Sequence, residues 1–190
     1  SNPNAITVTT ASALSSALAS ATAGRIIWVP GGTTINVSTF NKKVVPAGVV
    51  IASDRGLNGS PGALLTDSTM SSWLFEAQHN AVFSGLRFRG PENASKSCTR
   101  RCIVSSGTYR VEVENCEIWN YGYMGINLTS HSIAWNDDSN TGRHWIHHCY
   151  IHNSQVHGFG YGVAVQQTAA LIECNIFENN RHHIMGQRAT

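Results

Sequence analysis

Hydrophobic positions in the second half of the chain recur in four eleven-residue segments that align with one another. The segments begin 30, 33 and 26 residues apart and span 80–90, 110–120, 143–153 and 169–179. Within each segment hydrophobic and polar side chains alternate, as in a strand with one buried face. A pair of small, Asn or Cys residues, such as Asn115-Cys116, interrupts the alternation before it resumes. The pattern predicts a strand, a tight corner and a second strand, repeated once per coil of a solenoid.

Shorter hydrophobic runs predict the remaining strands of each coil. We expect strands at about 26–29, 34–37, 49–52, 63–66, 73–76, 103–105, 125–128, 162–166 and 183–185. Near the start, Leu14 and Leu18 are four residues apart among small residues, which predicts a short helix over 11–21. Thr9 or Thr10 precedes it as a candidate N-cap.

These elements together predict an all-β protein that folds as a right-handed parallel β-helix. We expect a single domain over residues 1–190, with a helical cap at about 9–22 and coils over about 25–190. An antiparallel sandwich also contains many short strands, but it does not predict aligned repeats at this spacing. The sequence after the last repeat, 185–190, does not resemble a terminal cap. We therefore expect the solenoid to continue or to associate with itself there.

The composition favours sugars over nucleic acid as the partner. Hydrophobic residues make up 42% of the chain and charged residues 13%, and the net charge is +2 without a run of Lys or Arg. A surface rich in hydroxyl and amide groups and lacking a basic stripe suits a polysaccharide better than a phosphate backbone. No apolar run approaches the roughly 20 residues that span a bilayer. We expect a secreted protein that binds polysaccharide, without nucleic acid and without a membrane span.

Two stretches of the chain resemble a known family. Residues 24–35, Gly-Arg-Ile-Ile-Trp-Val-Pro-Gly-Gly-Thr-Thr-Ile, resemble the entry into the β-helix of pectate-lyase-like proteins. Residues 45–56, 160–165 and 179–184 are similar to an uncharacterised group of microbial right-handed β-helix repeat proteins. The resemblance implies cleavage of an acidic polysaccharide by a lyase or a glycoside hydrolase. Adhesins and phage tailspikes share the fold, so a non-catalytic glycan-binding module stays open.

The alternation also predicts which side chains face outward in columns that cross the coils. Adjacent coils are about 4.8 Å apart, so residues in one column are direct neighbours. Glu114, His147 and Glu173 form one such stack, which mutual charge neutralisation explains. The predicted columns are Ser84, Glu114, His147, Glu173; Arg87, Glu117, Tyr150, Ile176; and Arg89, Trp119, His152, Glu178.

Candidate catalytic residues come from the histidine-rich end of the chain. Seven of the nine His residues lie between residues 144 and 183, where Tyr and Arg also occur. We expect His144 to face inward and His148 to lie at a corner. β-Elimination from a uronate requires a cation for the carboxylate, a base for the C5 proton and a donor for the leaving oxygen.

We assign carboxylate binding to Arg181, the base to His182 or His157, and proton donation to Tyr161. Arg181 and His182 are equally suited to bind backbone carbonyls in a turn. The residues expected to bind substrate are His147, His152, Tyr150, Trp119, Gln166 and Arg143.

The alternatives use other residues. Hydrolysis requires two carboxyls roughly 5–9 Å apart, for which Asp137 with Asp138, or Glu114 with Glu173, are the candidates. Adjacent Asp residues in a polar loop are also typical calcium ligands, although the lyase scheme requires no cofactor. A glycan-binding module would instead stack sugars on exposed aromatic residues: Trp119, Tyr121, Tyr123 and Tyr150.

Cysteine spacing adds one open question. Cys98 and Cys102 flank a short polar segment and would be able to pair in a secreted protein. No CxxC pair accompanies the other cysteines, which disfavours a structural zinc site built on them.

Overall fold

The computed structural model describes residues 3–91, 97–129 and 142–187. Asp137 and Asp138 lie outside these ranges. Helix α1 (Ala11–Ser20) begins after Thr10, whose side-chain Oγ1 accepts a hydrogen bond of 3.1 Å from the Ala13 amide. Leu14 and Leu18 lie on one face of the helix and are buried against the first coil. The predicted helix is confirmed, and it covers the N-terminal end of the core.

The strands of the described residues form three parallel sheets. Sheet 1 contains β1 (Ala5–Thr7), β2 (Ile26–Trp28), β5 (Val50–Ala52), β8 (Val82–Ser84), β11 (Glu112–Glu114), β14 (His144–His147) and β17 (Ala170–Glu173). Sheet 2 contains β3 (Thr34–Asn36), β6 (Leu64–Thr66), β9 (Arg87–Arg89), β12 (Glu117–Trp119), β15 (Tyr150–His152) and β18 (Ile176–Glu178). Sheet 3 contains β4 (Lys43–Val45), β7 (Trp73–Ala77), β10 (Arg101–Ser106), β13 (Met124–Thr129), β16 (Tyr161–Gln166) and β19 (His182–Gln187).

From β2 onward the chain visits sheets 1, 2 and 3 in turn, so each coil contributes one strand to each sheet. The register stacks like residues from coil to coil. In sheet 1, Val113 pairs with Phe83 on one side and Ile146 on the other, and all three are fully buried. This arrangement is a parallel β-helix, and the predicted fold is confirmed.

The corner between sheets 1 and 2 requires a left-handed backbone at one residue per coil. Asn115, His148 and Cys174 occupy that position with φ near +50°. Asn tolerates this conformation better than most residues. Asn175, one residue further on, accepts a hydrogen bond of 2.8 Å from the Cys149 amide and donates one to the Ile146 carbonyl. The corner side chains thereby satisfy backbone groups that the sheets leave unpaired.

A buried ion pair joins two of the segments that connect sheet 2 to sheet 3. Arg100 Nε lies 2.7 Å from Asp67 Oδ2, and neither side chain is exposed. The guanidinium also donates to the carbonyls of Ser71 and Phe40 at 2.9 and 2.6 Å. Since these four residues belong to three successive coils, the arginine links the coils through the interior.

The cysteines do not form disulfides. None of the five is part of a disulfide, and Cys98 and Cys102 are both buried thiols that are not bonded to each other. Within the described ranges, no helix is both long and apolar enough to cross a membrane.

Candidate functional site

The structure distributes the residues expected at the site over all three sheets. Tyr161, His182 and Gln166 belong to sheet 3, with Arg181 immediately before β19 and His157 exposed in the connection from β15 to β16. The sheet 2 residues are Trp119, Tyr150 and His152. The sheet 1 residues are His147 and, just before β14, Arg143. The three groups therefore occupy different faces of the solenoid, and only the first brings predicted catalytic residues together.

On sheet 3, one column runs across five coils, and all of its members except the buried Met124 are at least partly exposed. Its residues pair in register in the order Trp73, Arg101, Met124, Tyr161 and His182. Because parallel strands are about 4.8 Å apart, the two aromatic rings at the end of the column are direct neighbours. The centroids of the Tyr161 phenol and the His182 imidazole are 5.2 Å apart, and the ring planes are inclined by 27°.

Cationic side chains lie against the aromatic rings at the other end of this column. The Arg101 guanidinium carbon is 4.3 Å from the Tyr123 ring centroid and 5.9 Å from that of Trp73. Lys42 Nζ lies 4.2 Å from the Trp73 centroid. Such contacts restrict the direction in which a cationic side chain points.

Phe159 joins the cationic end of the column to the catalytic candidates. Its ring centroid is 4.2 Å from that of Tyr123 and 6.4 Å from that of Tyr161. We call the continuous set the sheet 3 band. It consists of Lys42, Trp73, Arg101, Tyr123, Phe159, Tyr161 and His182.

Several buried polar atoms of sheet 3 lack hydrogen-bond partners. Among the described residues, these include Trp73 Nε1 and Arg101 Nε, which are donors, and Asn127 Oδ1, which is an acceptor. A buried unpaired polar atom costs on the order of 1–3 kcal/mol, so native proteins seldom retain one without a use for it. Trp73 Nε1 and Arg101 Nε therefore mark a polar region beneath the cationic end of this surface, although neither atom is itself exposed.

Arg181 is brought to the same end as Tyr161 and His182. Its amide donates to the Ser154 carbonyl at 2.8 Å, so the connection before β16 lies against it. The close approach depends on Gly160, which has φ +76°. A Cβ atom there would lie 2.8 Å from the Arg181 Cβ and 2.7 Å from the Ser154 oxygen. Gln166 lies five residues from Tyr161 along β16, roughly 16 Å away, and donates to Gln187 at 2.9 Å.

The sheet 2 face is a ladder of paired groups. Arg87 Nε donates to Glu117 Oε2 at 2.8 Å, and His152 Nε2 lies 3.4 Å from Glu117 Oε1. Contact with His152, followed by that with Arg87, lowers the pKa of Glu117 to about 2 despite its partial burial. Trp119 stacks on His152 with the ring centroids 5.7 Å apart, and the Tyr150 hydroxyl donates to Glu178. Donation of this hydrogen bond to the Glu178 carboxylate raises the pKa of Tyr150.

The sheet 1 face places a histidine among carboxylates. His147 Nε2 is 3.1 Å from Glu112 Oε1 and 4.0 Å from Glu114 Oε2. Glu173, the next residue in the column, accepts a hydrogen bond of 2.9 Å from Trp145 Nε1. The Glu114–His147–Glu173 column is therefore present as expected. Its two carboxylates are separated by two strand spacings, roughly 10 Å, with His147 between them.

One residue of the glycan-stacking alternative is placed differently from the expectation. Tyr121 is fully buried rather than exposed, and burial raises its pKa. The preceding residue, Asn120, has φ +62° at the corner that follows β12, and the Tyr121 side chain is directed inward there. Trp119, Tyr123 and Tyr150 keep part of their surface accessible.

Sequence reasoning missed the cationic half of the sheet 3 band. Lys42, Trp73 and Arg101 were not among the expected site residues, and neither was Phe159. One signal in the sequence could have revealed them. Arg101 lies two residues before the buried Ile103, and Tyr161 lies two residues before the buried Val163, so both occupy the same position relative to the core. Unequal connections between sheets 2 and 3 hid that register, because the repeats align only over sheets 1 and 2.

The fold and this surface place the chain in the class of parallel β-helix proteins. Among solved structures, it is similar to the crystal structure of an alginate lyase from Paenibacillus sp. str. FPU-7, with a TM-score of 0.61 and 17% sequence identity. The match covers 98% of this chain, which spans only 58% of the length of that lyase. At this identity the likeness shows a shared fold. No protein-family model and no curated protein matches the chain.

Proposed function

We propose that this protein binds an acidic polysaccharide along the sheet 3 band and cleaves it by β-elimination. The observation that carries the proposal is the Tyr161–His182 pair, which shares one column of sheet 3 with Arg101. An acid–base pair and a cation on one face are the groups that the reaction requires. A parallel β-helix fold shared with an alginate lyase supports the same substrate class.

Each reacting group has a candidate side chain. His182 removes the C5 proton of the uronate, and the electron pair forms the C4–C5 double bond as the C4–O4 bond breaks. Tyr161 donates its hydroxyl proton to the departing O4. Arg181, immediately before β19, binds the carboxylate of that uronate and stabilises the negative charge that develops on it. Arg101 lies three strands from His182 in the same column, roughly 14 Å away, so it binds the carboxylate of another uronate of the polymer, oriented by Tyr123.

The rest of the sheet 3 band extends the surface beyond the reacting sugar. Trp73 and Phe159 offer aromatic faces, and Lys42 adds a further positive charge on the first coil. A charged polymer laid across several coils would contact these groups in sequence. Since Arg101 and Arg181 provide the positive charge, the scheme requires no metal ion. Acidic polysaccharides of this kind are extracellular, so the proposal includes secretion of the protein.

The test is to incubate the protein with alginate, polygalacturonate, glucuronan and hyaluronan, with and without calcium. The ultraviolet absorbance of an unsaturated uronate product reports elimination. We expect product from one class of polymer, and loss of product in Tyr161→Phe and His182→Ala. Tyr150→Phe and His152→Ala make the same changes on sheet 2. A site on sheet 3 predicts an unchanged rate in both, whereas the substrate-binding role expected for these two residues from the sequence predicts a higher KM. Product formation that persists in both sheet 3 variants would refute the proposed site.

A second candidate is a glycan-binding module without catalysis. The sheet 3 band supports it, because aromatic and cationic side chains continue over several coils beyond the acid–base pair. Saturable binding of an acidic polysaccharide without any unsaturated or hydrolysed product would favour this function. The assignment of His147, His152, Tyr150, Trp119, Gln166 and Arg143 to substrate binding stays a prediction. All except Gln166 belong to sheets 1 and 2 or to the segment before β14.

A further inference from the structure

We propose a binding site for a divalent transition-metal ion of the zinc class on the outer face of sheet 1. Its ligands are Glu112, Glu114 and His147. The site lies on a different sheet from the sheet 3 band, and the proposal does not depend on polysaccharide cleavage.

The β-helix itself brings the three ligands together. Glu112 and Glu114 are two residues apart on β11, so both side chains point to the same face of the sheet. His147 on β14 pairs in register with Glu114. One carboxylate oxygen from each Glu and one imidazole nitrogen all lie within 4.8 Å of one another.

The distances fit a small ion. His147 Nε2 is 3.1 Å from Glu112 Oε1 and 4.0 Å from Glu114 Oε2. Two ligand atoms that are each about 2.1 Å from a tetrahedral ion lie roughly 3.4 Å apart. These two separations bracket that value, and the two carboxylate oxygens lie within 4.8 Å of each other.

Two of the ligands are oriented by a neighbouring hydrogen bond. His147 Nδ1 is 2.9 Å from His148 Nδ1, so only one of these two nitrogens carries a proton. When the proton is on His147, its Nε2 presents a lone pair towards the two carboxylates, which is the metal-binding tautomer. Ser84 donates to Glu114 Oε1 at 2.5 Å and leaves Oε2 for the ion. Trp145 stacks on the His147 ring at 3.9 Å and restricts its rotation.

The charge balance distinguishes this cluster from the similar pair on sheet 2. There, Glu117 is one carboxylate between two donors, Arg87 and His152. On sheet 1 the ratio is reversed, with two carboxylates facing the single imidazole of His147. His147 is 94% shielded from water, since its exposed fraction is 6%. A divalent cation would neutralise both carboxylates at a site where solvent screening is reduced.

The ligand set also indicates the class of ion. One imidazole nitrogen with two carboxylate oxygens suits Zn²⁺ and its neighbours, whereas Ca²⁺ binds through six to eight oxygens. Three protein ligands leave one tetrahedral position open. Glu112 lines a cavity of about 290 Å³, whose wall also contains Arg110, Arg143 and Trp145. Of the three proposed ligands only Glu112 lines this cavity, so a water or a small anion at its Glu112 end is the proposed fourth ligand.

The test is calorimetric titration of the full chain with Zn²⁺ near neutral pH after treatment with a chelator. We expect one ion per chain and a higher unfolding temperature when the ion is bound. His147→Ala and Glu114→Gln should each weaken the affinity by at least about tenfold. The matched controls on sheet 2, His152→Ala and Glu117→Gln, should bind Zn²⁺ as tightly as the unaltered protein.

Circular dichroism establishes whether each variant is folded. Glu114→Gln should disturb the fold less than His147→Ala, because the amide has the size of the original side chain and keeps an oxygen that accepts from Ser84. The proposal is overturned if the unaltered protein shows no saturable Zn²⁺ binding. It is also overturned if the folded Glu114→Gln protein binds as tightly as the unaltered one, or if the sheet 2 variants lose the same affinity. Ca²⁺ binding at the strength of Zn²⁺ would contradict the assigned class of ion.

Discussion

The imidazole of His182 stacks on the phenol of Tyr161, with 5.2 Å between the ring centroids, because the two residues pair in register on adjacent strands of sheet 3. The contact places a proton acceptor and a proton donor on the same outward face. A substrate lying over this column would contact both groups at once. In the proposed lyase, the pair is therefore the reacting centre, and the rest of the sheet 3 band positions the polymer.

His182→Ala should lower kcat about 10²- to 10⁴-fold with little change in KM, because a general base acts mainly in the transition state. Added imidazole should restore part of the rate to this variant, since the lost ring leaves space at an exposed position. The same additive should not rescue Tyr161→Phe, which lacks the proton donor. Initial rates at several imidazole concentrations test this. Equal rescue of both variants would contradict the assigned roles.

Arg101→Gln should lower kcat/KM about 10²-fold on a charged uronate polymer, because it removes a cation proposed to bind a carboxylate of the polymer. The effect should be much smaller on the methyl-esterified polymer, which carries no carboxylate charge. Arg87→Gln on sheet 2 is the matched control and should alter neither rate. A loss of equal size on both substrates would mean that Arg101 has a structural role instead.

The register of sheets 1 and 2 could be predicted from the sequence. The segments that form these strands are joined by a corner of constant length, so their alignment gives the pairing of Glu117 with Tyr150 and of Trp119 with His152. The inward position of His144 and the corner position of His148 follow from the same alternation, and the structure confirms both.

The sheet 3 register could not be predicted in the same way. The connections before β10, β13 and β16 differ in length, so no fixed spacing relates Arg101 to Tyr161. The strand β4 is only three residues long and shows too little alternation to be recognised. The position of Tyr121 depends on the backbone of Asn120, where a positive φ overrides the outward face that simple alternation assigns.

As the pH falls, protonation of His144 should lower the free energy of unfolding before protonation of Glu117 does. Burial lowers the pKa of His144 from 6.5 to about 4, and its Nδ1 accepts a hydrogen bond of 3.2 Å from the Val111 amide. Between these pH values the unfolded chain binds the proton more strongly than the folded one. The free energy of unfolding should therefore fall by about 3 kcal/mol as the pH decreases from 6.5 to 4.

Urea unfolding at a series of pH values measures how the free energy of unfolding depends on pH. The variant His144→Leu should lose the part of this pH dependence that is due to His144, whatever its stability at neutral pH. Glu117 provides an internal comparison. Its pKa is lowered from 4.5 to about 2, so its contribution is present above pH 4.5 and is lost as the pH falls towards 2. An unchanged slope between pH 6.5 and 4 in His144→Leu would show that other groups cause it.

The buried pair of Arg100 and Asp67 should be far more sensitive to substitution than the partly exposed pair of Arg87 and Glu117. Asp67→Ala leaves the Arg100 guanidinium uncompensated where neither side chain meets water, and breaking such a pair costs about 3–5 kcal/mol. The remaining bonds of Arg100 to the carbonyls of Ser71 and Phe40 neutralise no charge.

Glu117→Gln removes a partly exposed pair and should cost only about 0–1 kcal/mol. Urea unfolding at neutral pH compares the two variants directly. Arg100 links three coils through the interior, so loss of its ion pair in Asp67→Ala should also loosen the neighbouring strands. We expect faster amide hydrogen exchange in β7, which follows Asp67 in the chain, and in β10, which follows Arg100. If Asp67→Ala were no more destabilising than Glu117→Gln, the connections would be held mainly by apolar packing, and the ion pair would contribute little.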